Sequence, residues 1–377
     1  MSWVIKRVSD IADLTLGKML DEKKNRGDLL PYLANVNVRW GEFDLSDLRE
    51  MRFEQHELEK HSVSSGDIIM CEGGEPGRCA IWKNGKASVM LQKALHRIRP
   101  KNGVHSLFLY YAFLNLRKTN GFAPYFTGST IKHLPKQQLE KVEIPIPSSE
   151  LQQDIASFLE SYDDLIENNR RRIQLLEESA HLLYQEWFVY LRFPGHEQVK
   201  ITDGVPEGWT KAPLESLLVL QRGFDLPVSQ RLEGAIPIYA STGINGFHNV
   251  AKVKGPGVAT GRSGSLGTVM YVATDFWPLN TTLWVKEFKK ASPLFATFLL
   301  RAMKLESYNG GAAVPTLNRN DVHKVDVLCP DKKLMHEFEI QVENIFKQVD
   351  KLKDYNEKLA QARDLLLPKL MSGELTV

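Results

Sequence analysis

The stretch GSTIKHLPKQQLEKVEIPIP at residues 128–147 recurs in layout as GAAVPTLNRNDVHKVDVLCP at residues 311–330. Each starts at a glycine, crosses a short polar segment and closes in an alternating strand, KVEIPIP or KVDVLCP, that ends at proline. The offset between the two is 183, and it grows towards the start of each copy. Gly74 and Gly77 fall on Gly264 and Gly267 at 190, while Trp3, Val8, Gly17 and Pro31 fall on Trp209, Leu214, Gly223 and Pro237 at 206. Self-similarity in one order along the chain marks a tandem repeat. The shrinking offset gives the first copy about 23 extra residues, most of them between Asn35 and Ser65.

Both copies have one plan. A globular part of short strands and turns comes first, GDIIMCEGGEPGRCAIW in one and GVATGRSGSLGTVMYVA in the other. A short helix follows, SLFLYYAFLNLRK or SPLFATFLLRAMK, then the closing strand, then a long helix. Pro147, Ser148 and Ser149 signal the start of the first long helix, with Gln152 completing a capping box from Ser149; Asp331 can cap the second. Pro194 and Gly195 stop the first, and KITDGVPEG at 200–208 reads as a linker.

The long helices carry seams that step by four and three residues in alternation. One runs Ile155, Leu159, Tyr162, Ile166, Asn169, Ile173, Leu176, Ala180, Leu183, Trp187; the other runs Phe338, Val342, Ile345, Val349, Leu352, Asn356, Leu359, Arg363, Leu366, Leu370. That spacing is the signature of a coiled coil, and it is longer than a helix docked on its own globular part needs. Pro368 should kink or end the second helix before Leu370. If a two-fold repeat sets the helices antiparallel, aligning the seam midpoints brings Asn169 opposite Asn356. A buried Asn pair fixes register and orientation at some cost in stability. The bland alternative leaves either Asn hydrated at the seam edge.

The net charge of +2 hides an asymmetry. Residues 150–190 carry −6 and residues 331–374 carry −1, which leaves +9 on the rest of the chain. Basic globular parts on acidic or neutral helices suit contact with a polyanion. The length of 377 residues is comfortable for two domains. No run is apolar enough to span a membrane, no signal peptide opens the chain, and Cys71, Cys79 and Cys329 form no framework, so a reduced cytoplasm and buried cysteines are expected.

No catalytic constellation emerges. A methyltransferase would need an Asn/Asp-Pro-Pro-aromatic motif, which is missing. The glycines at 261, 264 and 267 do not have dinucleotide-loop spacing, NGKAS at 84–88 is a turn with a lysine rather than a phosphate loop, and ten histidines lack metal-site spacing. Asp163 and Asp164, like Arg170 to Arg172, read first as the solvated face of the helix. What remains is polar loop chemistry able to meet base edges or phosphates. Candidates in the first copy are Arg78, Lys83, Tyr125, Thr127, Ser129 and Lys132; in the second, Arg262, Ser263, Asn280, Thr281, Asn309, Asn318 and Arg319. For each, ordinary surface or a strand-connecting turn is the competing reading.

The chain resembles the DNA specificity subunits of type I restriction–modification systems. The resemblance covers essentially its whole length and rests on GSTIKHLPKQQLEKVEIPIPSSELQQDIASFLESYDDLIENNRRRIQLLEESAHLLYQEWF, on VPEGWTKAPLESL and on the terminal LLLPKLMSGELTV. The second copy departs from it by having GAA at 311–313 where the first has GST, so a contact role for Ser129 and Thr130 need not transfer. The resemblance implies an α+β protein with two mixed α/β target recognition domains, residues 1–147 and 205–330. Two spacer helices, 148–193 and 331–377, would join them as an antiparallel coiled coil in a pseudo-two-fold tandem repeat. It implies that each domain reads half of a bipartite double-stranded DNA target and that the helices dock two methyltransferase subunits. It further implies no catalytic residue, metal or cofactor in this chain. S-adenosylmethionine would be held by the methyltransferase subunits, and a separate motor-nuclease subunit would cleave DNA. About 33 seam residues would give a rod of ~50 Å, an upper bound of about fifteen base pairs between half-sites. The alternatives are a self-contained modification or restriction enzyme with divergent motifs, and a coiled-coil scaffold that binds no nucleic acid.

Overall fold

The computed structural model describes residues 3–21, 25–83, 89–311 and 313–377. NGKAS at 84–88 and Ala312 of the GAA segment lie outside the described residues. The chain divides into two units, Met1–Asn169 with Asp354–Val377, and Arg170–Lys353. Each unit therefore takes one globular part and a portion of both long helices.

In the first unit β1 (Val4–Arg7) pairs antiparallel with β9 (Glu143–Ile146). A four-stranded antiparallel sheet has the order β2 (Ala12–Leu16), β8 (Leu95–Pro100), β5 (Ile68–Cys71), β6 (Cys79–Ile81). A three-stranded sheet has the order β4 (Arg49–Phe53), β3 (Asp28–Leu33), β7 (Met90–Leu91), with β3 and β7 parallel. A short helix, α1 (Gln55–His61), lies in the extra segment of this copy, and α2 (Ser106–Lys118) is the expected short helix.

The second unit opens on a small hairpin, β10 (Ile201–Thr202) with β11 (Val205–Pro206). Then β12 (Thr210–Pro213) pairs with β20 (Asp326–Cys329) as β1 does with β9. The four-stranded order is β13 (Leu218–Arg222), β19 (Thr282–Phe288), β16 (Gly257–Gly261), β17 (Val269–Val272). The three-stranded order is β15 (Gly243–His248), β14 (Ile236–Ala240), β18 (Trp277–Pro278), the last pair parallel. Strand for strand this is the first unit's topology, with α3 (Pro293–Ala302) in place of α2. The repeat anchors hold equivalent places. Val8 N–H donates to the Val142 carbonyl and Leu214 N–H to that of Val325, each at 2.9 Å. Pro31 and Pro237 sit in central strands, which proline ordinarily avoids. Both lie before the point where the parallel neighbour begins, at Tyr32 and Ile238, so no ladder bond is lost on that side.

Both long helices close the cores. In the first unit Phe108, Leu109 and Phe113 of α2 pack with Val8, Ile68 and Ile98, and with Ile155, Leu159, Leu367, Leu370 and Met371 from the helices. In the second, Phe338 is surrounded by the rings of Phe188, Phe298, Tyr184, Trp187 and Phe295 at centroid distances of 5.1, 5.7, 5.8, 6.0 and 6.3 Å. Fully burying an aromatic or aliphatic side chain of this size stabilises by about 1.5–3 kcal/mol.

The central helix spans Ser149–Tyr184 and passes into a π-turn, Gln185–Val189; the C-terminal helix spans Lys332–Ser372. Every seam position in both is buried or half-buried. Within the first unit the partners run antiparallel, Asp163 meeting Arg363 and Asn169 meeting Asn356. Within the second, Glu177 pairs with Lys353 at 3.5 Å while Trp187 meets Phe338, the same direction.

Four expectations are corrected. The first cap is Ser148, whose Oγ accepts from Leu151 N–H at 3.4 Å; Gln152 instead accepts from His105 N–H at 2.9 Å and donates to the carbonyls of Pro147 and Gly103, tying the helix start to α2. Pro368 does not end the helix, which runs on to Ser372 with Leu367, Leu370 and Met371 buried in its last turns. KITDGVPEG forms the β10–β11 hairpin, and Val205 within it and Val199 just before it pack on the second core. Asp163 is not merely solvated. It accepts from the Tyr111 hydroxyl at 2.7 Å and pairs with Arg363, which fills a seam position. Burial alone would depress the Arg363 pKa, but Asp163 and Asp364 outweigh it and raise it.

Candidate nucleic-acid interface

In both units the turn of the four-stranded sheet's hairpin meets the loop that precedes the closing strand. The β5–β6 turn, Glu72 to Arg78, and the β16–β17 turn, Arg262 to Thr268, have left-handed glycines at matching places. Their φ values are 75° and 90° at Gly74 and Gly77, and 87° and 86° at Gly264 and Gly267. An L side chain is strained there, so the sequence must supply glycine for the turn to form. The second element is the loop opened by GST or GAA. Thr127 and His133 exchange both backbone hydrogen bonds, at 2.8 and 2.9 Å, and Gly310 N–H donates to the Thr316 carbonyl at 3.0 Å. Turn and loop are then joined by one equivalent bond. Leu134 N–H donates to the Glu72 carbonyl at 2.7 Å, and Leu317 N–H to the Arg262 carbonyl at 2.8 Å.

The second unit brings its seven candidates around this junction. Arg262 and Ser263 donate their N–H groups to the Thr281 carbonyl at 2.8 and 3.2 Å, and the Arg262 Nη1 donates to the Asn280 carbonyl at 3.3 Å. Asn280 donates to Asp225, and the Thr281 hydroxyl is buried without a hydrogen-bond partner. Asn309 Oδ1 accepts from Gly311 and Thr316 N–H, both at 2.9 Å, so its side chain shapes the loop. Asn318 caps the helix Arg319–His323 by accepting from Asn320 N–H at 3.0 Å, and Arg319 at its first position is exposed.

The first unit assembles its candidates less completely. Thr127, Ser129 and Lys132 are exposed on the loop, with the Lys132 Nζ 5.9 Å from the Phe126 ring centroid. Tyr125 is half-buried and packs on the core. Arg78 is spent inside the domain: Nη2 donates to the Asn35 carbonyl at 3.0 Å and Nη1 lies 3.3 Å from Glu75. Lys83 is elsewhere, paired with Glu160 at 2.9 Å and within 3.9 Å of Asp164 on the central helix, where it ties the globular part to that helix.

Sequence reasoning missed Trp40, Glu75 and Arg117. Trp40 Nε1 donates to Glu75 Oε1 at 2.6 Å, Arg117 Nη2 lies 3.0 Å from the same oxygen, and the Arg117 guanidinium stacks 4.3 Å over the Trp40 ring. Burial opposes ionisation of Glu75, but Trp40, Arg117 and Arg78 outweigh it and hold its pKa below the usual carboxylate range. These residues are 35 and 42 positions apart, so no local pattern could have linked them.

The two globular domains share one topology, and each offers a glycine turn and a polar loop with different side chains. Residues 1–178 match the type I restriction modification DNA specificity domain. The specificity subunit of the type I restriction enzyme MjaIX from Methanocaldococcus jannaschii is 25% identical over 408 residues, covering 100% of this chain and 94% of its own. That of HindI from Haemophilus influenzae is 20% identical over 464 residues, covering 98% and 100%. The S subunit of a type I system from M. genitalium shares the fold at a TM-score of 0.54, with 18% identity over 98% of this chain and 96% of that one. The chain is similar over its whole length to the DNA specificity subunits of type I restriction–modification systems. Among the described residues no helix is long and apolar enough to cross a membrane.

Proposed function

We propose that each globular domain reads one half of a bipartite double-stranded DNA target, and that the paired helices set the half-site spacing and dock two adenine methyltransferase subunits. The observation that carries this reading is the turn-and-loop junction. The turn glycines and the bond joining turn to loop are the same in both domains, while the side chains on the turn differ: Glu72, Glu75 and Arg78 against Arg262, Ser265 and Thr268. A constant frame with variable side chains is what two readers of different half-sites require. Chemistry then falls to the partners. The methyltransferase subunits supply S-adenosylmethionine, and a motor-nuclease subunit cuts unmodified DNA.

Mapping modified adenines across the genome, in cells with and without this chain, tests the reading. A two-part motif that vanishes on deletion supports it. Methyl transfer by the purified chain alone would overturn it, as would the absence of salt-dependent DNA affinity in the presence of the methyltransferase subunit.

A further inference from the structure

The Trp40, Glu75 and Arg117 cluster has no counterpart in the second domain. Trp40 lies in the extra segment of the first copy, Glu75 is matched by Ser265, and the arginine of the second domain's helix, Arg301, instead donates to the Val269 carbonyl. Nor is it a core contact, since the Arg117 and Glu75 side chains keep 46% and 42% of their exposure. Three restraints act on one exposed guanidinium. The Trp40 ring fixes its plane, the Glu75 carboxylate pins one edge, and α2 holds its backbone. Arg78, beside it, takes the second position on Glu75 and braces the turn through Asn35, whose Nδ2 donates to the Gly73 carbonyl at 2.7 Å.

An arginine so fixed loses little conformational freedom on binding, and with 46% of its side chain exposed it keeps N–H groups to offer a ligand. The base edge that matches a guanidinium fork is guanine, with its O6 and N7 acceptors side by side in the major groove. A phosphate can also take an arginine but does not require a preset plane, and a stacked, carboxylate-pinned guanidinium would give up part of its charge to no purpose there.

We propose that Arg117 reads a guanine in the half-site of the first domain, with Trp40 and Glu75 as positioning residues. This rests on the chain being a DNA reader as proposed above. It also gives the extra segment of the first copy a role, that of bringing Trp40 to the recognition turn.

The test uses the complex with its methyltransferase subunit. The modified motif is mapped for the wild type, Arg117→Lys and Glu75→Gln, and binding is measured on duplexes with 7-deazaguanine at each guanine of the motif. Lysine keeps the charge but loses the fork and the stack. Arg117→Lys is expected to relax one guanine in one half of the motif and leave the other half unchanged, with Glu75→Gln relaxing the same position less. At that position 7-deazaguanine should weaken wild-type binding roughly tenfold and leave Arg117→Lys unaffected. An unchanged motif in Arg117→Lys overturns the proposal. So does a uniform weakening on all sequences with a smaller salt slope, which assigns Arg117 to a phosphate. A wild-type chain that directs no motif would instead overturn the reading on which this one rests.

Discussion

Asn169 Nδ2 donates to Asn356 Oδ1 at 2.9 Å, and Asn356 Nδ2 donates to the Ile166 carbonyl at 3.3 Å. Two residues that are not equivalent in the repeat thus meet in the seam, with Ile166 and Leu352 buried on either side. Replacing one with Ile strands the other amide, at a cost of about 1–3 kcal/mol. Replacing both is expected to stabilise the helix pair and loosen its register. Urea unfolding of both single variants and the double variant closes the cycle; equal, additive costs would show that the amides do not act together.

Arg363 is the other polar seam residue. Its partners are Asp163 and Asp364, and Lys118 of α2 reaches Asp364 at 2.5 Å. Arg363→Ala leaves Asp163 half-buried beside Tyr111 without its cation and should cost about 1–3 kcal/mol, below the range for breaking a fully buried pair. Arg363→Leu combined with Asp163→Leu should recover most of that. Thermal unfolding of the three variants measures it.

Phe338 touches five aromatic rings in the second core and is fully buried. Phe338→Ala is expected to cost about 3–5 kcal/mol. The loss should appear as faster amide exchange in Arg170–Lys353, with the first globular part less affected, because its core is built from other residues.

Acid should weaken both units. Burial lowers the pKa of His61 and His96 in the first and of His323 in the second from the ordinary value of 6.5. His323 Nε2 accepts from Leu220 N–H at 2.8 Å, which only the neutral ring can do. A histidine whose folded pKa is depressed favours the folded state while neutral. Its contribution is therefore intact above about 6.5 and falls as pH drops below that towards the folded value. Denaturant midpoints measured from pH 7.5 to 5 should decline, and less steeply in His323→Gln.

DNA contacts divide by placement. Lys132→Ala and Arg319→Ala should each weaken binding on all sequences and reduce the salt slope by about 1. Lys83→Ala, whose cation already serves Glu160, should leave the salt slope as it is. Titrations at several salt concentrations separate the two outcomes.

The sequence by itself determined the repeat, the order of elements in each copy, the seams of the long helices and the facing of Asn169 and Asn356. All of these follow from periodicity and spacing, which are local or are carried by two copies of one pattern. The glycines at 74, 77, 264 and 267 were legible for the same reason, since only glycine suits the left-handed turn and both copies need it. Tertiary structure alone decided which polar side chains remain available. Arg78 and Lys83 look alike in sequence to Lys132 and Arg319, yet one is spent on Asn35 and Glu75 and the other on the central helix. It also brought Trp40, Glu75 and Arg117 together and carried the helix through Pro368. Whether a charge is free, paired or stacked depends on residues distant in the chain, and no pattern along a single segment encodes that.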